Sequence, residues 1–375
     1  MSAVGAPRPS RSLSPFELRL ERRLDVPRWL PLATTVGAVA VALVIGGIVI
    51  ALAGGDPIRA YVHIVGAAFG SVGVLSDTLV VATPLILTGL ACALAFRMHL
   101  WNIGAEGQLL MGAWGASAIV LLPVLPEDAP QFLFVALMAV AGLAMGALWG
   151  FIPGVLQARL GVNDIIVTLM LNYIAALWIE FWVFGAWSDG GFQLTRQFPR
   201  EAWLPRLADF AESFKGLAGL TVHLGLIFAL VAVGIVWFIL KRSRWGYEIR
   251  LIGDSPSAAR YAGIDIARNT ILVFMLSGAL AGLAGAVEVG GVVHRLQQNF
   301  SPGYGFTAII VAYIAKFDPI GVVVAAIVFA ALILACREIQ PAGVPGMIQG
   351  IVLFCLIGSD VVLRYSVRLV RRRTV

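Results

Sequence analysis

The stretch LTGLACALAFRMHLWNIGAEGQLLMGA, residues 87–113, sets Asn102, Glu106 and Gln108 between two runs apolar enough for a bilayer. A carboxylate in that setting is costly and calls for a partner or a wet cavity. Outward from this point, long apolar runs alternate with short polar breaks along the chain. Of 375 residues 59% are hydrophobic and 13% charged, with a mean hydropathy of +0.91. Soluble domains carry about 25% charged residues, so this chain cannot build a water-soluble surface. The fold class that follows is all-α, a polytopic membrane bundle.

A span needs about 20 apolar residues. Eight stretches qualify: Leu32–Ala53, Asp77–Phe96, Ile103–Leu122, Gln131–Gly154, Ile165–Phe184, Val222–Leu240, Ile271–Val289 and Ile320–Cys336. Phe306–Ala315 is too short to cross alone, and Met347–Leu363 is interrupted by polar residues; with them the count is about ten transmembrane helices. The Gly-rich segment Ile58–Leu75 is placed at the outer surface, with a re-entrant piece as the other option.

Basic residues orient the bundle. With both termini cytoplasmic, only Arg59, Arg196, Arg200, Arg206, Lys215, Arg295 and Arg337 of the 27 lysines and arginines fall outside. Four of them lie in one long outer loop, where the charge rule is weakest. The net charge of +6 thus reports orientation rather than nucleic acid binding. Residues 1–30 form a cytoplasmic arm, 31–366 the transmembrane domain with a cytoplasmic loop at 241–270, and 367–375 a basic cytoplasmic tail. The arm contains FELRLERRLDVPRW, which fits a short helix lying on the inner membrane surface and an unstructured tail equally well. The first apolar run is of full span length and lacks a cleavage site, so it reads as a span and not a signal peptide.

Cys92, Cys336 and Cys355 sit singly in apolar runs, and the four histidines are isolated, so neither a metal site nor a cofactor is expected. None of the three lysines, Lys215, Lys241 and Lys316, follows a glycine, which excludes a P-loop. No cluster of catalytic side chains gathers at one depth, so an enzyme is not expected.

Two units echo each other. LTGLACALAF from Leu87 parallels LSGALAGLAG from Leu276, and each is followed by a Gly-broken polar patch and a new apolar run. The topology puts the first patch inside and the second outside, as an inverted repeat requires. Within Asp164–Phe184, Thr168 and Asn172 share a face inside the span. They line a pathway or make an interhelical hydrogen bond worth about 0.6–2 kcal/mol. Glu180 and Asp164 sit near the interfaces, where solvation accounts for them. Asn102 can cap a helix start and Glu106 lies in its first turn, near the positive dipole end. Gly104, Gly107 and Gly112 let neighbouring helices approach. After Glu288, the run GGVVHRLQQNFSPGYGF reads equally as a re-entrant outer gate or a plain loop.

The inner loop KRSRWGYEIRLIGDSPSAARYAGIDIARNT, Lys241–Thr270, contains a short-helix signature. Asp254 or Ser255 caps, Pro256 opens the first turn, Ala258, Ala259 and Tyr261 continue it, and Gly263 ends it. Two turns of helix are unstable alone in water. It must pack on its own bundle or on a partner.

Four blocks, TPLILTGLACALAFRMHLWNIGAEGQLLMGAWGA, VNDIIVTLMLNYIA, SRWGYEIRLIGDSPSAARYAGI and GYGFTAIIVAYIAKFDPIG, resemble permease subunits of bacterial ABC importers, in the simple-sugar and nucleoside branch. The resemblance spans roughly Leu32 to Tyr365, and NIGAEGQ is similar to its nucleoside-type members. Asp164 departs from a Glu common there, with the charge kept. The resemblance implies a pathway between two permease subunits, identical or paralogous, a cytoplasmic ABC ATPase dimer, and an extracytoplasmic substrate-binding protein, often a lipoprotein. It implies a bacterial cytoplasmic-membrane location and a nucleoside as cargo, with a pentose or other simple sugar second. The residues placed on the pathway are Thr168, Asn172, Asn102, Glu106 and Gln108. Those placed in the ATPase-coupling helix are Asp254, Ser255, Pro256, Ala258, Ala259, Tyr261 and Gly263. The competing reading is an ion-coupled secondary transporter of a small polar solute.

Overall fold

A computed structural model describes residues 16–22, 27, 29–52, 54–122, 124–126, 129–212, 214–336 and 365–371, with scattered positions between 347 and 362. The chain divides into two compact units, Met1–Ala53 with Met347–Val375, and Gly54–Gly346.

In the first unit, helix α1 (Leu30–Leu52) accompanies a two-stranded sheet. Strand β1 (Phe16–Arg22) pairs antiparallel with β2 (Tyr365–Arg371), Leu18 opposite Leu369 and Leu20 opposite Val367. This corrects both readings of the arm, the surface helix and the unstructured tail. FELRLER alternates apolar with charged residues, which is a strand period, but a lone strand cannot be recognised without its partner at the far end of the chain. About half of the tenth expected helix, Met347–Leu363, lies outside the described residues, as does Arg337.

The second unit holds α2 (Pro57–Phe69), α3 (Val72–Arg97), α4 (Ala105–Leu121), α5 (Gln131–Leu160), α6 (Asp164–Phe184), α7 (Gly225–Arg242), α8 (Arg244–Asp254), α9 (Pro256–Tyr261), α10 (Ile266–Glu288), α11 (Tyr304–Ile314) and α12 (Pro319–Cys336). Among the described residues, α3, α5, α6, α7 and α10 with its π-helical continuation to Val293 are long and apolar enough to cross a membrane. The segment expected at the outer surface forms α2, capped by Asp56, whose Oδ1 accepts the Ile58 and Arg59 amides at 2.9 and 3.2 Å. Helix α4 starts at Ala105 rather than Ile103, and Gly104 caps it without a side-chain bond. Asn102 therefore does not cap in the ordinary way. Its Oδ1 accepts the Gly104 amide at 3.1 Å, ahead of the helix.

The centre is the α5–α10 pair, with α3 and α4 packed on α10. Gly142, Gly146 and Gly150 on α5 recur every fourth residue and face Gly278 and Gly282 on α10. Small residues at this spacing let helix backbones touch, the usual glue of membrane bundles.

The two ends of the unit differ. One gathers the C-terminus of α3, the helices α8 and α9, and the α11–α12 turn, where Lys241 Nζ meets Asp318 Oδ1 at 2.8 Å. Gly253 of α8 lies directly against the Arg97 carbonyl. The other end carries the 185–224 loop, with Leu204 N donating to Gly290 O at 2.9 Å and Thr221 Oγ1 to Asp77 Oδ1 at 2.6 Å.

Candidate functional site

The chain breaks between α3 and α4 and again between α10 and α11. Both breaks were expected on opposite faces, yet they meet. The Gly305 amide, in the first turn of α11, donates to Glu106 Oε2 at 2.6 Å. From that junction α4 runs toward the long loop, where Val120 and Leu121 sit beside Arg196 and Pro199. Helix α11 runs the other way, toward Phe317, whose ring lies 5.8 Å from Phe96. The opposed directions keep the inverted relationship of the two units; only the separation of the patches fails.

Glu106 thus serves two helix starts at once. It lies in the first turn of α4 and accepts an amide from the first turn of α11. A carboxylate is favoured at the positive end of either dipole. The Ser301 hydroxyl also bonds it, and Ser301 Oγ accepts the Gly303 and Tyr304 amides at 3.2 and 3.3 Å. A buried charge is tolerated only when so paired. Gly305 packs so closely on Glu106 that an added Cβ would lie within 2.6 Å of its Cα.

The other polar residues of the first break hold it in shape. Asn102 Nδ2 donates to Gln108 Oε1 at 2.9 Å and to Ser277 Oγ at 2.8 Å, and Ser277 donates to Ala91 O at 2.7 Å. Gln108 Nε2 returns a bond to Asn102 Oδ1 at 3.2 Å. Asn172 clamps α4 to α6: its Oδ1 accepts the Gly107 amide at 2.8 Å and its Nδ2 donates to Ile103 O at 2.9 Å. Thr168 spends its hydroxyl on Asp164 O at 2.7 Å, within its own helix. Trp101 N donates to Asp164 Oδ2 at 2.7 Å, which ties the break to the start of α6.

Beside this junction lies a cavity of about 290 Å³ between α4, α6 and the segment before α11. Glu106, Asn172, Glu180, Gln298, Asn299 and Ser301 give it polar atoms; Tyr173, Phe300 and Phe306 give it rings. Larger grooves of about 530 and 500 Å³ lie under the long loop, and one of about 960 Å³ lies along α8, at the ends of the unit. The five residues the sequence places on a pathway all surround the junction, but only Glu106 and Asn172 line the cavity. Glu180, read as interfacial, lines it too, and accepts Gln298 Nε2 at 2.6 Å. Replacing Asn172 by leucine removes both clamping bonds and leaves the Gly107 amide unsatisfied, at about 1–3 kcal/mol. Uptake should fall while the subunit still folds; unchanged uptake kinetics would refute this.

The expected short helix is present as α9, capped by Ser255 Oγ, which accepts the Ala258 amide at 3.3 Å. Asp254 ends the preceding helix α8, which sequence reasoning missed although Ser243 caps it at the Gly246 amide and Ile249 and Ile252 are buried at helical spacing. Pro256 sits in the first turn, Ala258 is exposed, and Gly263 has a φ of 76°. Tyr261 is 97% exposed, whereas Ala259 is fully buried against its own bundle.

At the opposite end Arg206 Nη2 donates to Gly291 O at 3.0 Å and to His294 Nε2 at 2.7 Å. The His294 ring stacks on Trp203, centroids 3.8 Å apart. Burial first, and the Arg206 charge second, lower both His294 and His223 from 6.5 to about 4. Because the folded values lie below the unfolded ones, their stabilisation is complete above pH 6.5 and is lost as pH falls through about 4. Limited proteolysis of the 185–224 loop should accelerate across that window, and flat protection would refute the assignment.

A multi-pass bundle with two broken helices meeting at a polar cavity is the build of a membrane transport subunit. Residues 74–357 match the family described as branched-chain amino acid transport system/permease component. The chain is 36% identical over 363 residues to a glucose ABC transporter permease protein of Haloferax volcanii, covering 94% of this chain and 93% of that one. It is 34% identical over 340 residues to a guanosine ABC transporter permease protein of Bacillus subtilis (89% and 93% covered). With a nucleoside ABC transporter permease protein of Lactococcus lactis subsp. cremoris it shares 33% over 331 residues (85% and 88%). The chain belongs to this permease family: it is a membrane component of an ABC-type transport system and not an enzyme.

Proposed function

We propose that this chain is the permease subunit of an ATP-driven importer of a nucleoside, with a simple sugar as second choice. One observation carries the substrate class. The cavity presents two carboxylates, three amides, two hydroxyls and three aromatic rings, with no basic side chain among the described residues that line it. Solutes bearing phosphate would meet Glu106 and Glu180 with nothing among the described lining residues to balance them, which argues against nucleotides. A neutral heterocycle with hydroxyl groups suits both the rings and the amides. The nucleoside stands first because two of the relatives are named for one; the glucose relative supports the second choice.

In this reading an ABC ATPase dimer docks on α9 from the cytosol, and the exposed Tyr261 is its contact. The α8–Arg97 packing then carries motion to the α3–α4 break and to Glu106. A second permease subunit, identical or paralogous, covers the open side of the cavity beside Tyr173, which is 61% exposed. An extracytoplasmic binding protein delivers the solute at the long-loop end. Both termini lie in the cytoplasm of a bacterial cell, and the β1–β2 pairing supports placing them together.

The test is uptake by vesicles containing the complete complex. ATP-dependent accumulation of radiolabelled nucleoside should be competed by unlabelled nucleoside and by neither nucleoside monophosphate nor leucine. Accumulation that persists without the ATPase and collapses with the ion gradient would instead establish the secondary transporter.

A further inference from the structure

The polar run after α10, whose sequence suits a gate or a plain loop, makes specific contacts. Gln298, which lines the cavity, bonds Glu180 on α6 at 2.6 Å. Its backbone is held from the other side, with Gln298 N donating to Gln193 O at 3.3 Å. Thr195 N donates to Leu296 O at 2.9 Å, Leu296 N to Thr195 Oγ1 at 3.0 Å, and Leu194 pairs with Gln297 in an antiparallel bridge. The long loop and the segment 296–298 are therefore laced together along both backbones. Left-handed residues bracket that segment, His294 at a φ of 55° and Asn299 at 52°. Such conformations are uncommon outside glycine, and they mark where the chain turns at either side of the laced stretch. Across the cavity, by contrast, the described contact between Gln298 and Glu180 is a single side-chain hydrogen bond.

We infer that the Glu180–Gln298 bond is a latch closing the cavity at α6, and that residues 193–195 of the long loop carry its moving half as one body with residues 296–298. Opening parts Gln298 from Glu180 and leaves the lacing intact. Glu180 and Gln298 are then positioning residues of the transport cycle, and the loop is the lever that an outer partner can move. This rests on the reading of the cavity as part of the solute path.

The experiment uses the complete complex in vesicles preloaded with radiolabelled nucleoside and no ATP. Losing a hydrogen bond to a charged group shifts a closed-to-open ratio by at least about tenfold. Glu180→Leu and Gln298→Leu should each raise efflux by about that factor. Glu180→Gln, which can still accept the Gln298 amide through a neutral bond, should leak less than Glu180→Leu. Native efflux from either leucine variant overturns the latch. For the lever, the pair Leu194→Cys and Gln297→Cys, oxidised to a disulfide, should leave ATP-driven uptake unchanged. Loss of uptake on oxidation, restored by reductant, overturns the single-body motion. The native complex is assayed first. If it accumulates glucose rather than nucleoside, the choice of substrate fails, and the efflux assay run with glucose still decides the latch.

Discussion

Gly282→Leu should abolish recovery of folded protein. A Cβ at that position would lie 2.2 Å from the Gly142 carbonyl oxygen and 2.8 Å from Gly146 Cα, and the Gly112 position presses on Gly282 from a third helix. These are backbone atoms of α5 and α4, so no rotamer change relieves the clash and the helices must separate. Overpacking a core ordinarily costs about 1–3 kcal/mol. Here the displaced elements are the central helix pair, and the loss should exceed that range. Gly234→Leu is the control, because Gly234 has nothing within 4 Å of its Cβ position. Detergent-extracted yield and thermal unfolding measure the effect. A Gly282→Leu protein that extracts and unfolds like the native one would disprove the packing.

Tyr261→Asp should reduce ATP-driven uptake to background without harming the fold. The side chain is 97% exposed on α9, so its loss leaves no cavity behind. Aromatic anchors in protein contacts commonly contribute about 2 kcal/mol or more, enough to weaken ATPase docking by about thirtyfold. Ser257→Asp, also exposed, should act in the same direction with a smaller effect. Ala259→Asp belongs to another class, since Ala259 is fully buried. It should lower the yield of folded subunit rather than uncouple it. Co-purification of the ATPase with each variant separates the two outcomes. If Tyr261→Asp retains both the ATPase and uptake, the docking assignment is wrong.

Much of the fold was legible because its signals are local. Apolar run length located the spans, and Ser255, Pro256 and Gly263 announced α9 by capping chemistry that needs only a few neighbouring residues. The four-residue glycine spacing of α5 was also on display and went unread. What stayed hidden depends on distant partners. Glu106 and Gly305 are 199 residues apart, so nothing near either shows that the two broken patches meet. Glu180 looks like any interfacial glutamate until Gln298, 118 residues away, is set against it. Helix α8 is amphipathic over eleven residues, too short to stand on propensity alone. For β1, the alternation was visible but its mate was not.

The meeting of α4 and α11 has a consequence for permeation itself. Each helix start leaves about four amide hydrogens without acceptors in its own helix, and both starts open at one level inside the bundle. Glu106, Ser301 and Asn172 answer the Gly305, Tyr304 and Gly107 amides among these donors. If the neighbouring cavity lies on the solute path, a hydrophilic molecule there meets polar side chains in exchange for its hydration, and the oily stretch it must cross is shorter than the bilayer. On the reading of the cavity as the solute path, the thinnest part of the barrier is built from interrupted backbone.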